Sequence, residues 1–132
     1  MNNLGLGVMI RMFSGNEETV RLYNEMKNQV IKKLKLNNNE LCFEFENGLK
    51  TIIFDNGQSC CETRYMRTDD NLNNIIGGIL KEINLKPIDN RETEYGEYQI
   101  QFLEIVTDKG SCVLSNHNEH NGYYGGFSIE IK

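Results

Sequence analysis

Residues 40–55 limit the fold of this chain more than any other stretch. Glu40-Leu-Cys-Phe-Glu-Phe-Glu46 and Leu49-Lys-Thr-Ile-Ile-Phe-Asp55 are strand-like runs separated by Asn47-Gly48. Asn-Gly accepts the positive φ angles of a two-residue type I′ turn, whose twist matches that of paired antiparallel strands. Such a loop pairs Phe43 with Ile52 and Leu41 with Phe54. It places those four on one apolar face and Glu44, Glu46 and Thr51 on the other. Phe43, Ile52 and Phe54 are therefore expected core residues.

The rest of the chain supplies one long helix and more strands. Ser14-Gly-Asn-Glu17 reads as a capping box, and Glu17 and Glu18 suit the positive end of a helix dipole. Val20, Tyr23, Met26, Val30 and Leu34 recur at spacings of three or four, widened by Leu22 and Ile31, with Lys32, Lys33 and Lys35 in the last turn. The pattern predicts an amphipathic helix over about 15–36, ended by Asn37-Asn38-Asn39. Before it, Leu4, Leu6, Val8 and Ile10 alternate loosely enough for a first strand. After the hairpin comes a turn at Asp55-Asn56-Gly57 and a strand over 58–67 that carries Cys60 and Cys61. A short helix is expected from Thr68-Asp69-Asp70 through Ile76, stopped by Gly77-Gly78. Residues 79–85 read as a strand ended by Pro87, and 88–96 as a polar surface loop. A second hairpin, 97–107 with 111–116, turns at Asp108-Lys109-Gly110. A loop over 116–126 then leads to a last strand in which Phe127, Ile129 and Ile131 alternate. The expected fold is a single α+β domain over 1–132: a mostly antiparallel sheet of about six or seven strands with one long N-terminal amphipathic helix.

Composition narrows the function classes. The chain has 132 residues, of which 39% are hydrophobic and 25% charged, a globular balance. No apolar run approaches the ~18 residues of a bilayer span, and the start MNNLGLGVMIRMF lacks the pattern of a secretory signal. A soluble, cytoplasmic protein is expected. The net charge of −5 argues against a duplex nucleic-acid binder and fits docking on a basic partner. Cys42, Cys60, Cys61 and Cys112 form no Cys-x-x-Cys pair and are expected to be reduced thiols.

Two polar segments are candidates for chemistry: Asn56-Gly-Gln-Ser-Cys-Cys-Glu62 with Arg64 and Arg67, and Asn116-His-Asn-Glu-His-Asn-Gly-Tyr-Tyr-Gly-Gly126 with both histidines. Cys60 or Cys61 with His117 and His120 offers zinc-compatible donors, although the usual two-residue cysteine gap is absent. The same cysteines with a histidine base and Glu119 or Glu62 as orienter would form a thiol nucleophile site, but nothing marks a strained nucleophile turn. Gly5-Leu-Gly7 lacks the third glycine of a dinucleotide loop. A binding reading treats Tyr123 and Tyr124 as rigid amphipathic anchors, for a stacked base or a protein interface, with Arg64 or Arg67 for a phosphate. The plainer reading makes one tyrosine a sheet corner, with Asn121 or Asn116 capping the backbone.

Gly57-Gln-Ser-Cys-Cys-Glu62, the acidic Asp69-Asp70 pair, Ile76-Gly77 and Asn118-Glu-His-Asn-Gly-Tyr-Tyr-Gly125 occur in that order. Over about residues 40–132 this resembles a family of small phage and prophage proteins, a domain of unknown function. The resemblance implies a viral or mobile-element setting in the cytoplasm of an infected bacterium, and brings no catalytic residues. The expectation is a non-enzymatic inhibitor of bacterial immunity, anti-CRISPR-like, that binds a host effector such as a CRISPR nuclease. Its expected binding residues are Arg64, Arg67, Asn121, Tyr123, Tyr124, His117, His120 and Glu119. No cofactor and no membrane contact are implied, and self-association is compatible with the reading. The alternatives are a sponge for an immune nucleotide signal and a zinc- or cysteine-dependent enzyme.

Overall fold

The computed structural model describes residues 17–55, 62–86, 89–93, 96–120, 127 and 129–132. The expected strand at 1–13, the Ser14 cap, the 56–57 turn, Cys60, Cys61, Pro87 and the loop holding Asn121, Tyr123 and Tyr124 lie outside the described residues.

In chain order the elements are helix α1 (Glu17–Met26), then strands β1 (Ile31–Asn37), β2 (Glu40–Phe45), β3 (Lys50–Asp55) and β4 (Glu62–Arg67). A 3₁₀ turn (Leu72–Ile75) follows, then β5 (Leu80–Leu85), β6 (Asp89–Thr93), β7 (Gly96–Thr107), β8 (Gly110–His120) and β9 (Ile129–Ile131). The expected antiparallel character holds, but the described strands form two sheets rather than one. The first has the order β1-β2-β3-β9; the second has β4-β8-β7-β5, with β6 also paired to β7. The core packs the inward residues of both sheets together, among them Leu41, Phe43, Phe45, Ile53 and Ile131 with Met66, Ile83, Leu103, Ile105 and Leu114. Leu22, Tyr23 and Met26 of α1 join them. No helix among the described residues is long and apolar enough to cross a membrane.

The long helix is corrected to ten residues, and its expected second half is β1. Asn28 adopts a left-handed φ of 69°, which ends the helix. The chain then pairs with the segment before β5: Asn28 N–H donates to Leu80 O at 2.8 Å, and Ile31 N–H to Gly78 O at 2.9 Å. A bulge between Ile31 and Lys33 explains the misleading periodicity. The extra residue turns Ile31 and Leu34, three apart, to the same buried side, which imitates helical spacing.

The first hairpin forms where expected, with its register moved by one. Phe43 faces Thr51 and Leu41 faces Ile53. Phe45 and Leu49 close a three-residue loop, Glu46-Asn47-Gly48: Phe45 N–H donates to Leu49 O, and Gly48 N–H to Phe45 O, both at 2.9 Å. Gly48 takes a φ of 91°, and the Asn47 side chain accepts the Leu49 N–H at 3.0 Å. This is the loop of a type I turn followed by a left-handed glycine, not a type I′ turn. One residue of slip exchanges the faces of β3. Phe43 is buried as expected, whereas Ile52 and Phe54 are only half-buried, and Thr51, Ile53 and Asp55 point inward instead.

Three further expectations change. The polar loop at 88–96 contains β6, paired antiparallel with β7 from Asp89–Ile100 to Thr93–Gly96. Its backbone pairing with β7 defines it, and the run Asp89-Asn-Arg-Glu-Thr93 has no apolar alternation to announce it. The short helix is a single 3₁₀ turn capped by Asn71, while Asp70 accepts the Val113 N–H at 2.7 Å and ties the segment to β8. Residues 116–120, expected as loop, continue β8 to His120 because its inward positions there are the buried amides Asn116 and Asn118 rather than apolar side chains.

Helix α1 caps one edge strand of each sheet, β9 and β5, with two hydroxyls one turn apart. Thr19 Oγ1 accepts the Ile131 N–H of β9 at 3.0 Å and donates to Ile131 O at 3.3 Å. Tyr23 OH accepts the Ile83 N–H of β5 at 2.9 Å and donates to Ile83 O at 3.4 Å. Each hydroxyl stands where a neighbouring strand would supply a donor and an acceptor.

Candidate binding face on the second sheet

The register of β4, β8 and β7 lays out three rows on the sheet's outer face. Thr63, Glu119 and Tyr98 form one, Tyr65, His117 and Ile100 the next, and Arg67, Ser115 and Phe102 the third. The middle row carries an aromatic stack. The Tyr65 and His117 rings lie 4.6 Å apart with planes 4° from parallel, and Tyr98 meets His117 from the other strand at 5.5 Å and 28°.

Hydrogen bonds fix the stack. Tyr65 OH donates to Glu119 Oε2 at 2.9 Å. Ser115 Oγ lies 2.7 Å from His117 Nε2 and 3.4 Å from the Arg67 carbonyl, and the Tyr98 hydroxyl bonds His117 Nδ1. Both ring nitrogens of His117 are thereby engaged, one by Tyr98 and the other by Ser115. Burial lowers the His117 pKa; the Arg67 charge lowers it further and Glu119 opposes. Burial raises the Tyr65 pKa, reinforced by the bond to Glu119. Burial thus favours the uncharged form of both His117 and Tyr65.

Beside it lie two clefts that share Arg67, Thr68, Asp69 and Ser115. One, of about 150 Å³, also reaches Asp70, Phe102 and Val113; the other is about 210 Å³. Phe102, at 38% exposure, is the one large hydrophobic side chain left exposed among the described residues.

Of the sequence candidates, Arg67, His117 and Glu119 meet on this face. His120 ends β8, opposite Glu62 and Glu97. Arg64 is corrected: it points inward, and its Nη1 pairs with Asp55 at 2.8 and 3.0 Å, the two side chains 4% and 1% exposed. It is not placed to meet a phosphate at the surface. The register slip that turned Asp55 inward is what calls for this partner. The zinc set loses a ready donor too, because both His117 ring nitrogens are bonded. No group of three or more His, Cys, Asp or Glu positioned for a metal occurs among the described residues.

Tyr65, Tyr98, Ser115 and Phe102 were missed. A signal for them exists: extending the 108–110 hairpin register outward pairs Phe102 with Ser115 and Tyr98 with Glu119. Only the placement of β4 beside β8, a non-local event, brings in Tyr65. No curated protein and no solved structure matches this chain. A family model described as a domain of unknown function, DUF7448, matches residues 24–129, and the chain belongs to that family.

Proposed function

We propose that this protein is a non-catalytic binding domain that engages a protein partner through the outer face of its second sheet. The observation that carries the reading is Phe102, the exposed large hydrophobic side chain, set beside the Tyr65–His117–Tyr98 stack and Arg67. Aromatic residues and arginine dominate the energetic centres of interfaces. Here the aromatic rings are already ordered by hydrogen bonds, so binding them costs little side-chain entropy. Glu119, Glu104, Asp69 and Asp70 around the patch favour a basic partner.

The hydrogen-bond pattern supports the non-catalytic part. Both ring nitrogens of His117 are taken up within the stack, by Tyr98 and by Ser115, so neither stands open to an incoming substrate. The finer reading, from the resemblance to phage proteins, is that the partner is a bacterial defence effector and that binding inhibits it. The nucleotide-sponge alternative keeps Arg67 on this face but not Arg64.

Capture from a bacterial host lysate tests the reading, comparing the wild type with Phe102→Asp and Arg67→Glu variants of unchanged circular dichroism. A partner enriched by the wild type and lost by both variants is expected. Equal retention by the variants, or a nucleotide-dependent rise in melting temperature with no protein captured, refutes it.

A further inference from the structure

We infer that the outer face of the first sheet is a second, separate docking site, built for an acidic extended segment of a partner protein. The register places Lys35, Cys42 and Ile52 in one row across β1, β2 and β3, with Lys132 next to Ile52. Lys33, Glu44 and Lys50 form the adjacent row. Apart from Lys132, these residues line a cleft of about 270 Å³ whose floor includes the half-buried Cys42 and Ile52.

The charge of this cleft opposes that of the molecule. The chain carries a net −5, yet Lys33, Lys35 and Lys50 line the cleft against the single carboxylate of Glu44. That carboxylate is already shared, 3.7 Å from Lys50 and 3.7 Å from Lys32. On the far side Lys132 sits 3.3 Å from Glu40 and 4.5 Å from the centre of the Phe54 ring. Lysines on an edge strand commonly guard it against pairing with another chain, which accounts for Lys33 and Lys35 on β1. It does not account for Lys50, which lies on an interior strand, nor for the apolar floor between the lysines.

An extended segment fits both features. Its alternate side chains fall on one side about 7 Å apart. A sequence of the form acidic-x-apolar-x-acidic therefore sets one apolar group on Cys42 and Ile52, with carboxylates reaching the lysines on either side. The second-sheet face plays no part in this, so the two proposals fail or stand separately.

The test uses a fluorescein-labelled peptide carrying Glu-x-Phe-x-Glu and a control carrying Lys-x-Phe-x-Lys, with anisotropy at low and high salt. Binding of the acidic peptide alone, weakened by salt and by roughly tenfold or more in Lys33→Glu/Lys35→Glu, is expected. Ile52→Ser should weaken it several-fold without changing the salt dependence. Bound peptide should also shield Cys42 from N-ethylmaleimide, read by mass spectrometry on the peptide bearing that residue. Phe102→Asp should change none of these. Failure of the acidic peptide to bind, equal binding of the control, or full affinity in the lysine double variant overturns the proposal. An unchanged Ile52→Ser affinity also overturns it, since attraction would then be charge alone.

Discussion

At His117, burial between two tyrosine rings holds the imidazole below its ordinary pKa of 6.5. The fold thus favours the neutral ring, and the unfolded chain binds the proton more readily. Stability therefore falls as pH drops below 6.5, until the depressed folded value is passed. The melting temperature should fall as the pH is lowered through about 6.5, by less in His117→Gln than in the wild type. An identical fall in both would mean that His117 is not the group responsible. Arg64 and Asp55 belong to the same scale, because the two charges are buried against each other. Arg64→Met should cost about 3–5 kcal/mol in chemical denaturation, and adding Asp55→Val should recover most of it. A single variant as stable as the wild type would show that the carboxylate does not depend on the guanidinium.

Among the elements, α1 depends most on its surroundings. Ten residues is below the length at which an isolated helix is stable in water, about 12–15. Its place is held by Leu22, Tyr23 and Met26 in the core and by the Thr19 and Tyr23 hydroxyls on two strand edges. Tyr23→Phe keeps the ring and strips the Ile83 N–H of its acceptor. It should cost about 1–3 kcal/mol and speed amide exchange at Ile83 while sparing Ile131. The first hairpin offers a second test, because its register decides where Thr51 points. In the observed register Thr51 is buried and its hydroxyl has no hydrogen-bond partner among the described residues. Thr51→Val should therefore stabilise the protein by about 1–2 kcal/mol. In the two-residue-loop register Thr51 would face water, and the same change would leave the unfolding midpoint where it was.

Over the whole molecule, two sheets close on one core and leave outer faces of different character. One is aromatic, hydrogen-bonded and acid-rimmed; the other is apolar-floored and lysine-lined. Net charge averages over both, so the −5 of the chain pointed toward a basic partner and concealed a basic cleft. What the sequence determined by itself is local. The Asn47-Gly48 and Asp108-Lys109-Gly110 hairpins and the terminal alternation of Ile129 and Ile131 stand where turn chemistry and period-two patterning put them. What the tertiary structure decided depends on which strand lies beside which. A single bulge made β1 read as helix, and one loop residue reversed the faces of β3. That reversal turned Asp55 inward, where it took up Arg64, a residue whose type alone suggested a surface role. β6 and the end of β8 escaped notice because strand signals in a sequence come from apolar burial, and these segments are built on backbone pairing and buried amides. The Tyr65–His117–Tyr98 stack spans three strands, two of them neighbours only through the 62–67 segment's return to β8. Side-chain direction alternates with every residue, so a face shared by distant strands is set by register, and register is settled only when the strands meet.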